Sequence, residues 1–178
     1  MRNGGVTRQY CHGVVTVRRY QPEDLEQCRF LWTDLTEWHR QLYADDSIGG
    51  VNPGSGFDAH LAEVGPERIF VAELDGRLVG LAGMIVRGRK VELEPLSVRA
   101  GCRGAGIGRR LAEEVVAAAR KEGAEQIVVR PTGRNGDAIR IFHSLGFDVV
   151  TRVELTYDLG SGDRWRKGEE LAGRTFRV

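Results

Sequence analysis

Two stretches of the sequence carry residue types that do chemistry. The first is CRGAGIGRR, Cys102 to Arg110, where Gly104, Gly106 and Gly108 alternate with small or apolar residues. Arg109 and Arg110 then open a helical pattern, RRLAEEVVAAARKEG. Glycine disfavours regular structure, and arginine carries the wrong charge for the positive end of a helix dipole. Both features make sense around an anion: main-chain N–H groups bared by the glycines cradle a phosphate, and Arg103 and Arg109 add charge and forked donors. The bland alternative is a glycine-rich turn with solvated arginines. The second stretch is KVELEPLSV, in which Glu92 and Glu94 stand two apart and so share one face of a strand. Carboxylates held close together in a cleft suit proton transfer, whereas an exposed pair on a strand does nothing in particular.

The phosphate pattern excludes two common nucleotide sites. Gly101 and Gly106 have the Walker A separation, but Ile107 stands where that motif needs lysine. The dinucleotide fingerprint fails as well, because Gly104 and Gly106 are followed by Arg109 where a third glycine is required.

A strand, a loop and a helix must hold these residues. RIFVAEL, the turn Asp75-Gly76 and RLVGLAGMIV predict a hairpin, since Asp-Gly favours the turn that matches strand twist. Arg87–Arg89 turn into a third strand, KVELEPLSV, where Pro95 removes a ladder donor and favours a bulge or an edge. The loop feeds a helix over Arg109–Glu122, with Ile107, Leu111, Val115, Ala118 and Ala119 on one face. EQIVVRP reads as a buried strand. NGDAIRIFHSLG reads as a helix burying Ala138, Ile141, Phe142 and Leu145, with Gly146 at its C-terminal cap. FDVVTRVELTYDL then alternates as a strand at Val153, Leu155, Tyr157 and Leu159. Upstream, Val14–Arg19 is a short strand, QPEDLEQCRFLWTDLTEWHRQLYADD a helix, SIGGVNPGSG a loop, and Phe57–Val64 a second short helix. The order predicts an α+β sheet flanked by helices. Residues 1–13 are expected to be a leader, 14–159 a single domain, and 160–178 an extension or partly disordered.

Bulk properties narrow the partners. The chain has 178 residues, 29% of them charged, and a formal net charge of +1. That balance points to neither nucleic acid nor membrane as the main partner. Cys11, Cys28 and Cys102 form no metal-type spacing and no disulfide framework, so no metal is expected and a cytoplasmic location is the default. No apolar run is long enough to span a bilayer, and MRNGGVTRQYCHG lacks the apolar core of a signal peptide.

LSVRAGCRGAGIGRRL followed by NGDAIRIFHSLGF resembles the Gcn5-related N-acetyltransferase (GNAT) family. The hallmark Arg/Gln-x-x-Gly-x-Gly/Ala is met by Arg103, Gly106 and Gly108, and the later pattern by Asn135, Ala138, Phe142, Gly146 and Phe147. The convincing resemblance covers about residues 68–159. It implies a central, mostly antiparallel sheet of about six to seven strands flanked by helices and splayed at the cofactor site. It also implies acetyl-CoA as co-substrate, with its pyrophosphate on the N–H groups of Gly104, Ala105, Gly106, Ile107 and Gly108 beside Arg103 and Arg109. The pantetheine arm would pair with Leu96, Ser97 and Val98, and Asn135 and Phe142 would complete the cofactor site.

Glu94 occupies the position that often carries the family's water-linked base, and an N–H near Ser97 or Val98 would meet the oxyanion. The departure is Phe142, where many relatives place a tyrosine that protonates the leaving thiolate. Trp32, Trp38 and Tyr43 among Asp34, Glu37, Asp45 and Asp46 would suit a cationic acceptor, unless periodicity alone explains them. The implied function is acetyl transfer to a primary amine by direct attack, the acceptor being a small molecule or a peptide. A non-catalytic acyl-CoA-binding or sensing module is the alternative, and a homodimer is left open.

Overall fold

The computed structural model describes residues 13–157, 159, 167–171 and 173–177. A five-stranded sheet forms its centre, in the order β1 (Thr16–Arg19), β2 (Ile69–Leu74), β3 (Arg77–Arg87), β4 (Lys90–Val98) and β5 (Gln126–Val128). The first three junctions are antiparallel; short turns join β2 to β3 and β3 to β4, the first of them with Asp75 at φ 50° and Gly76 at φ 75°, whereas the chain between Arg19 and Ile69 is mostly helical. Only β4 and β5 run parallel, because the helix α3 (Ile107–Lys121) crosses between them.

Helices cover both faces. Cys28 and Leu31 of α1 (Leu25–Tyr43) and Phe57 and Val64 of α2 (Ser55–Val64) pack on Val71, Leu78, Leu81 and Ile85. On the other face Leu111 and Val115 of α3, with Phe142 of α4 (Gly136–Ser144), pack on Phe70, Ala72 and Leu93. The α1 entry is fixed electrostatically. Asp24, buried just ahead of the helix, accepts from the Gln21 N–H at 2.8 Å and from Arg18 at 2.7 Å, and Arg18 also reaches Glu73 of β2. Burial pushes the Asp24 carboxyl up, but the Arg18 and Gln21 hydrogen bonds outweigh it and hold it below the ordinary carboxylate value.

The structure corrects the expected strand count. Five strands form the main sheet where six to seven were predicted. The stretch that alternates at Val153, Leu155, Tyr157 and Leu159 makes no strand at its described positions, and these side chains are exposed. Alternation marks a segment able to lie half-buried in a sheet, but a ladder also needs an edge to pair with. β5, three residues long, offers little. It is also less covered than predicted, with Gln126 exposed and Ile127 and Val128 half-buried. Likewise Ile141, expected in the core, is 45% exposed, and Phe142 is the buried residue of α4. Lys167–Leu171 (β6) and Arg174–Arg177 (β7) pair as a separate antiparallel hairpin. Cys102 is disulfide-bonded, which corrects the expectation that the cysteines form no disulfide, whereas Cys28 is a free, buried thiol.

Candidate active site

The site begins with a break in the sheet. β5 pairs with β4 only from Lys90 to Glu92, so beyond Glu92 that edge of β4 has no strand beside it among the described residues. At the same level the β3–β4 ladder slips: Met84 pairs with Leu93 and Ala82 with Leu96, leaving Glu94 and Pro95 opposite Gly83 alone. This is the bulge that Pro95 predicts; the Glu94–Pro95 peptide bond is cis.

The bulge separates the two carboxylates. Glu92 lies opposite Ile85, whose side chain belongs to the α1/α2 face, and it is only 5% exposed, ion-paired with Arg130 just past β5. Glu94 sits within the bulge and is exposed. They are not the adjacent buried pair that a regular strand would make. Arg130 is a partner that sequence reasoning missed, because nothing local ties a residue after β5 to a strand nearly forty positions earlier in the chain.

At the far end of β4 the chain makes one turn of 3-10 helix (Ala100–Cys102) and enters the glycine loop. Gly106 is the N-cap of α3 with φ 78°, and Gly104 has φ 80°, a region that side-chain-bearing residues avoid. The first turn of α3 holds no acidic residue and no side chain caps it. A Cβ added at Gly101, Gly104 or Gly106 would meet nothing within 4 Å, so the loop faces open space. Helix-start donors without a cap, on a surface free of side chains, fit a phosphate group. Ala105 is exposed beside them, while Ile107 is buried in the core and anchors the helix; at Gly108 an added Cβ would touch Val98 Cγ2 at 3.6 Å.

The flanking arginines are exposed and lightly tethered. Arg103 donates from Nε to the Val98 carbonyl oxygen at 3.0 Å and lies over the Trp38 ring at 5.2 Å. Arg109 donates to Ser144 O and Oγ at 3.0 and 3.1 Å, joining the start of α3 to the end of α4. Along β4, Ser97 is buried and Leu96 and Val98 are half-buried. Two other predicted site residues have structural employment. Asn135 caps α4, accepting from the Ala138 N–H at 3.1 Å. Phe142 is buried edge-on against Phe147, with ring centroids 5.5 Å apart.

Across the opening stands α1. Tyr43 stacks on His39, and its hydroxyl oxygen accepts from Thr132 Oγ1 at 2.9 Å. The Arg134 guanidinium points at the Leu42 and Tyr43 carbonyl oxygens. The expected cation-attracting acids are partly engaged: Glu37 pairs with Arg40 at 2.7 Å, and Asp45 accepts from Ser47. Asp34 faces Arg99 and Arg103, yet burial pushes its carboxyl above the ordinary value. Trp32 turns inward against Phe57 and His60. His60 escaped sequence reasoning, although its spacing from Phe57, Leu61 and Val64 places it on the buried face of α2.

The model of the acetyltransferase (GNAT) family matches residues 22–147. A streptothricin acetyltransferase from Streptomyces lavendulae is 32% identical over 115 residues, a match that takes in 61% of each protein. Among solved structures, the PaiA N-acetyltransferase of Thermoplasma acidophilum in complex with coenzyme A superposes with a TM-score of 0.67 at 18% identity, over 79% of this chain and 93% of that one. AAC(6')-Iy in complex with a CoA-S-monomethyl-acetylneamine bisubstrate analogue gives 0.60 at 22% identity, over 82% and 99%. These neighbours share the sheet and the helices that flank it. The family match spans α1 through α4 and takes in the β4 bulge and the glycine loop, so the chain belongs to the GNAT acetyltransferase family.

Proposed function

We propose that this protein transfers an acetyl group from acetyl-CoA to a primary amine by direct attack within a ternary complex. The observation that carries this reading is the bare edge of β4 beyond Glu92, which leads to an uncapped, glycine-lined helix start. The edge suits an extended pantetheine arm beside Leu96, Ser97 and Val98, which would add to the sheet as a strand does. The pyrophosphate then lies over the N–H groups from Gly104 to Gly108, with Arg103 and Arg109 close by.

An alkylamine with a pKa near ~10.4 is almost wholly ammonium at neutral pH, so a proton must leave before attack. Glu94, exposed in the bulge, takes it through water. The amine lone pair forms the C–N bond, an N–H near Ser97 or Val98 steadies the oxyanion, a second proton leaves the nitrogen as the adduct collapses to the amide, and the C–S electron pair leaves on sulfur. Phe142 has no proton to give. A thiol with a pKa near ~8.5 is a workable leaving group as its anion, so the absence of tyrosine does not forbid turnover. The relatives named for streptothricin and for a neamine derivative favour a small-molecule amine as acceptor.

The test is CoA release from acetyl-CoA across a panel of small amines, set beside calorimetric binding of acetyl-CoA. Amine-dependent release is expected. Binding that no amine converts into CoA release would leave a non-catalytic acyl-CoA-binding module, the reading that Phe142 favours.

A further inference from the structure

His60 packs in the fold, but its Nε2 is used neither by the fold nor by the chemistry above. It lies on the buried stripe of α2 with Phe57, Leu61 and Val64, and its ring rests against Trp32 at 5.3 Å. The residue is only 8% exposed, and Nε2 has no hydrogen-bond partner among the described residues. A desolvated ring nitrogen left unpaired is costly, and a phenylalanine would fill the same space without that cost.

The direction in which the nitrogen points is informative. A Cβ built on Gly83 would stand 2.5 Å from His60 Nε2, 2.6 Å from the Glu94 carbonyl oxygen and 3.1 Å from Pro95 Cδ. The imidazole and the β4 bulge therefore crowd the same point of β3, and only glycine at that point lets both approach. The orphaned nitrogen stands where β3 meets the β4 bulge, on the face of the sheet covered by α2. Burial holds the imidazole below its ordinary value, opposed by Glu63 on the same helix, so the ring is neutral at pH 7 and has one nitrogen free to accept. Glu63 is itself paired with Arg87, Glu94 is the carboxylate of the bulge, and Trp32 on α1 brings no charge.

Acetylation makes a demand that one carboxylate does not meet. An alkylammonium becoming an amide sheds two protons, one before the C–N bond forms and one as it forms. We propose that His60 is a catalytic residue of the transfer, its Nε2 accepting an N–H of the acceptor amine at the β4 bulge and taking the second proton. This rests on the transferase reading above. The amine lone pair makes the C–N bond, the C–S pair departs on the CoA sulfur, and the proton passes from nitrogen to Nε2. It then moves to water, which restores the neutral ring.

His60→Phe and His60→Gln test this, with acetyl-CoA affinity and melting temperature measured beside steady-state kinetics on the best amine. His60→Phe keeps a ring against Trp32 and is expected to fold and to bind acetyl-CoA as the wild type does. Its kcat should fall by about 10²–10⁴ at neutral pH, a loss that shrinks as hydroxide takes over the proton at high pH. His60→Gln, which retains an acceptor but no base, should keep the amine KM closer to wild type than His60→Phe does and leave kcat low. A folded His60→Phe with kcat within about threefold of wild type, or a loss independent of pH, overturns the assignment while leaving the transferase reading intact. A wild-type protein that releases no CoA with any amine overturns both.

Discussion

At the scale of single residues, the glycine loop is the most exacting part of the site. Gly106 is held at φ 78°, and an added side chain there would meet no protein atom. Gly106→Val is therefore expected to cost about 1–2 kcal/mol of stability, from left-handed backbone alone. The larger effect should fall on what approaches from outside: the acetyl-CoA dissociation constant rises at least about tenfold, because a branched side chain stands over the phosphate-binding amides. Urea unfolding and calorimetry separate the two. Unchanged affinity in a folded Gly106→Val would show that the diphosphate docks elsewhere. The arginines beside the loop are held by carbonyl oxygens, a hydroxyl and a ring, apart from a 3.5 Å contact of Arg109 with Glu113. Their hydrogen-bond and ring partners are neutral, and the acids near them are Asp34, which Arg103 faces, and Glu113 beside Arg109.

At the scale of elements, α1 would line the acceptor side of the proposed reaction, and the chain secures the helix at both ends. Its start is tied through Asp24 and Arg18 to Glu73 on β2, and its end through Tyr43 to Thr132 in the loop between β5 and α4. Asp24→Asn is expected to lower stability by about 2 kcal/mol at pH 7, the worth of a buried hydrogen bond to a charged group. The pH dependence has a definite sign. The folded carboxyl lies below its ordinary value of 3.8, so its stabilisation is complete above that value and is lost as pH falls through the folded one. Urea midpoints of wild type and Asp24→Asn should thus differ at pH 7 and converge in acid. A gap that stays constant into acid would mean that the charge of Asp24 contributes nothing.

At the scale of the whole molecule, the sheet is left unfinished on one side of β4 among the described residues. β3 secures β4 along its length, while β5 covers only its first three residues. Amides of Leu93–Val98 that face away from β3 should exchange with deuterium faster than those of β2 and β3 and slow on adding acetyl-CoA. Hydrogen-exchange mass spectrometry of the peptide spanning β4 reads this directly. Protection of α1 without protection of β4 would place the ligand on the wrong side of the sheet. Near-neutral net charge means that any attraction for CoA phosphates is local to the loop and its arginines and is not a property of the whole surface.

The sequence by itself determined what local rules govern. Hydrophobic period, the Asp75-Gly76 turn and the cap residues placed β2, β3, β4, α3 and α4, and Pro95 marked the bulge, because each signal is carried by residues within a few positions of one another. The glycine loop was legible for the same reason: its backbone geometry and its lack of a cap belong to one short stretch. Only the tertiary structure decided how far β5 runs beside β4, and so where the sheet opens. It alone decided that the bulge parts Glu92 from Glu94, that Arg130 takes Glu92 as its partner, and that the alternating stretch after α4 stays out of the ladder. His60 shows the division within one residue. Spacing on α2 puts it inside, but its approach to Gly83 depends on a strand more than twenty positions away in the chain, and no local pattern encodes that meeting.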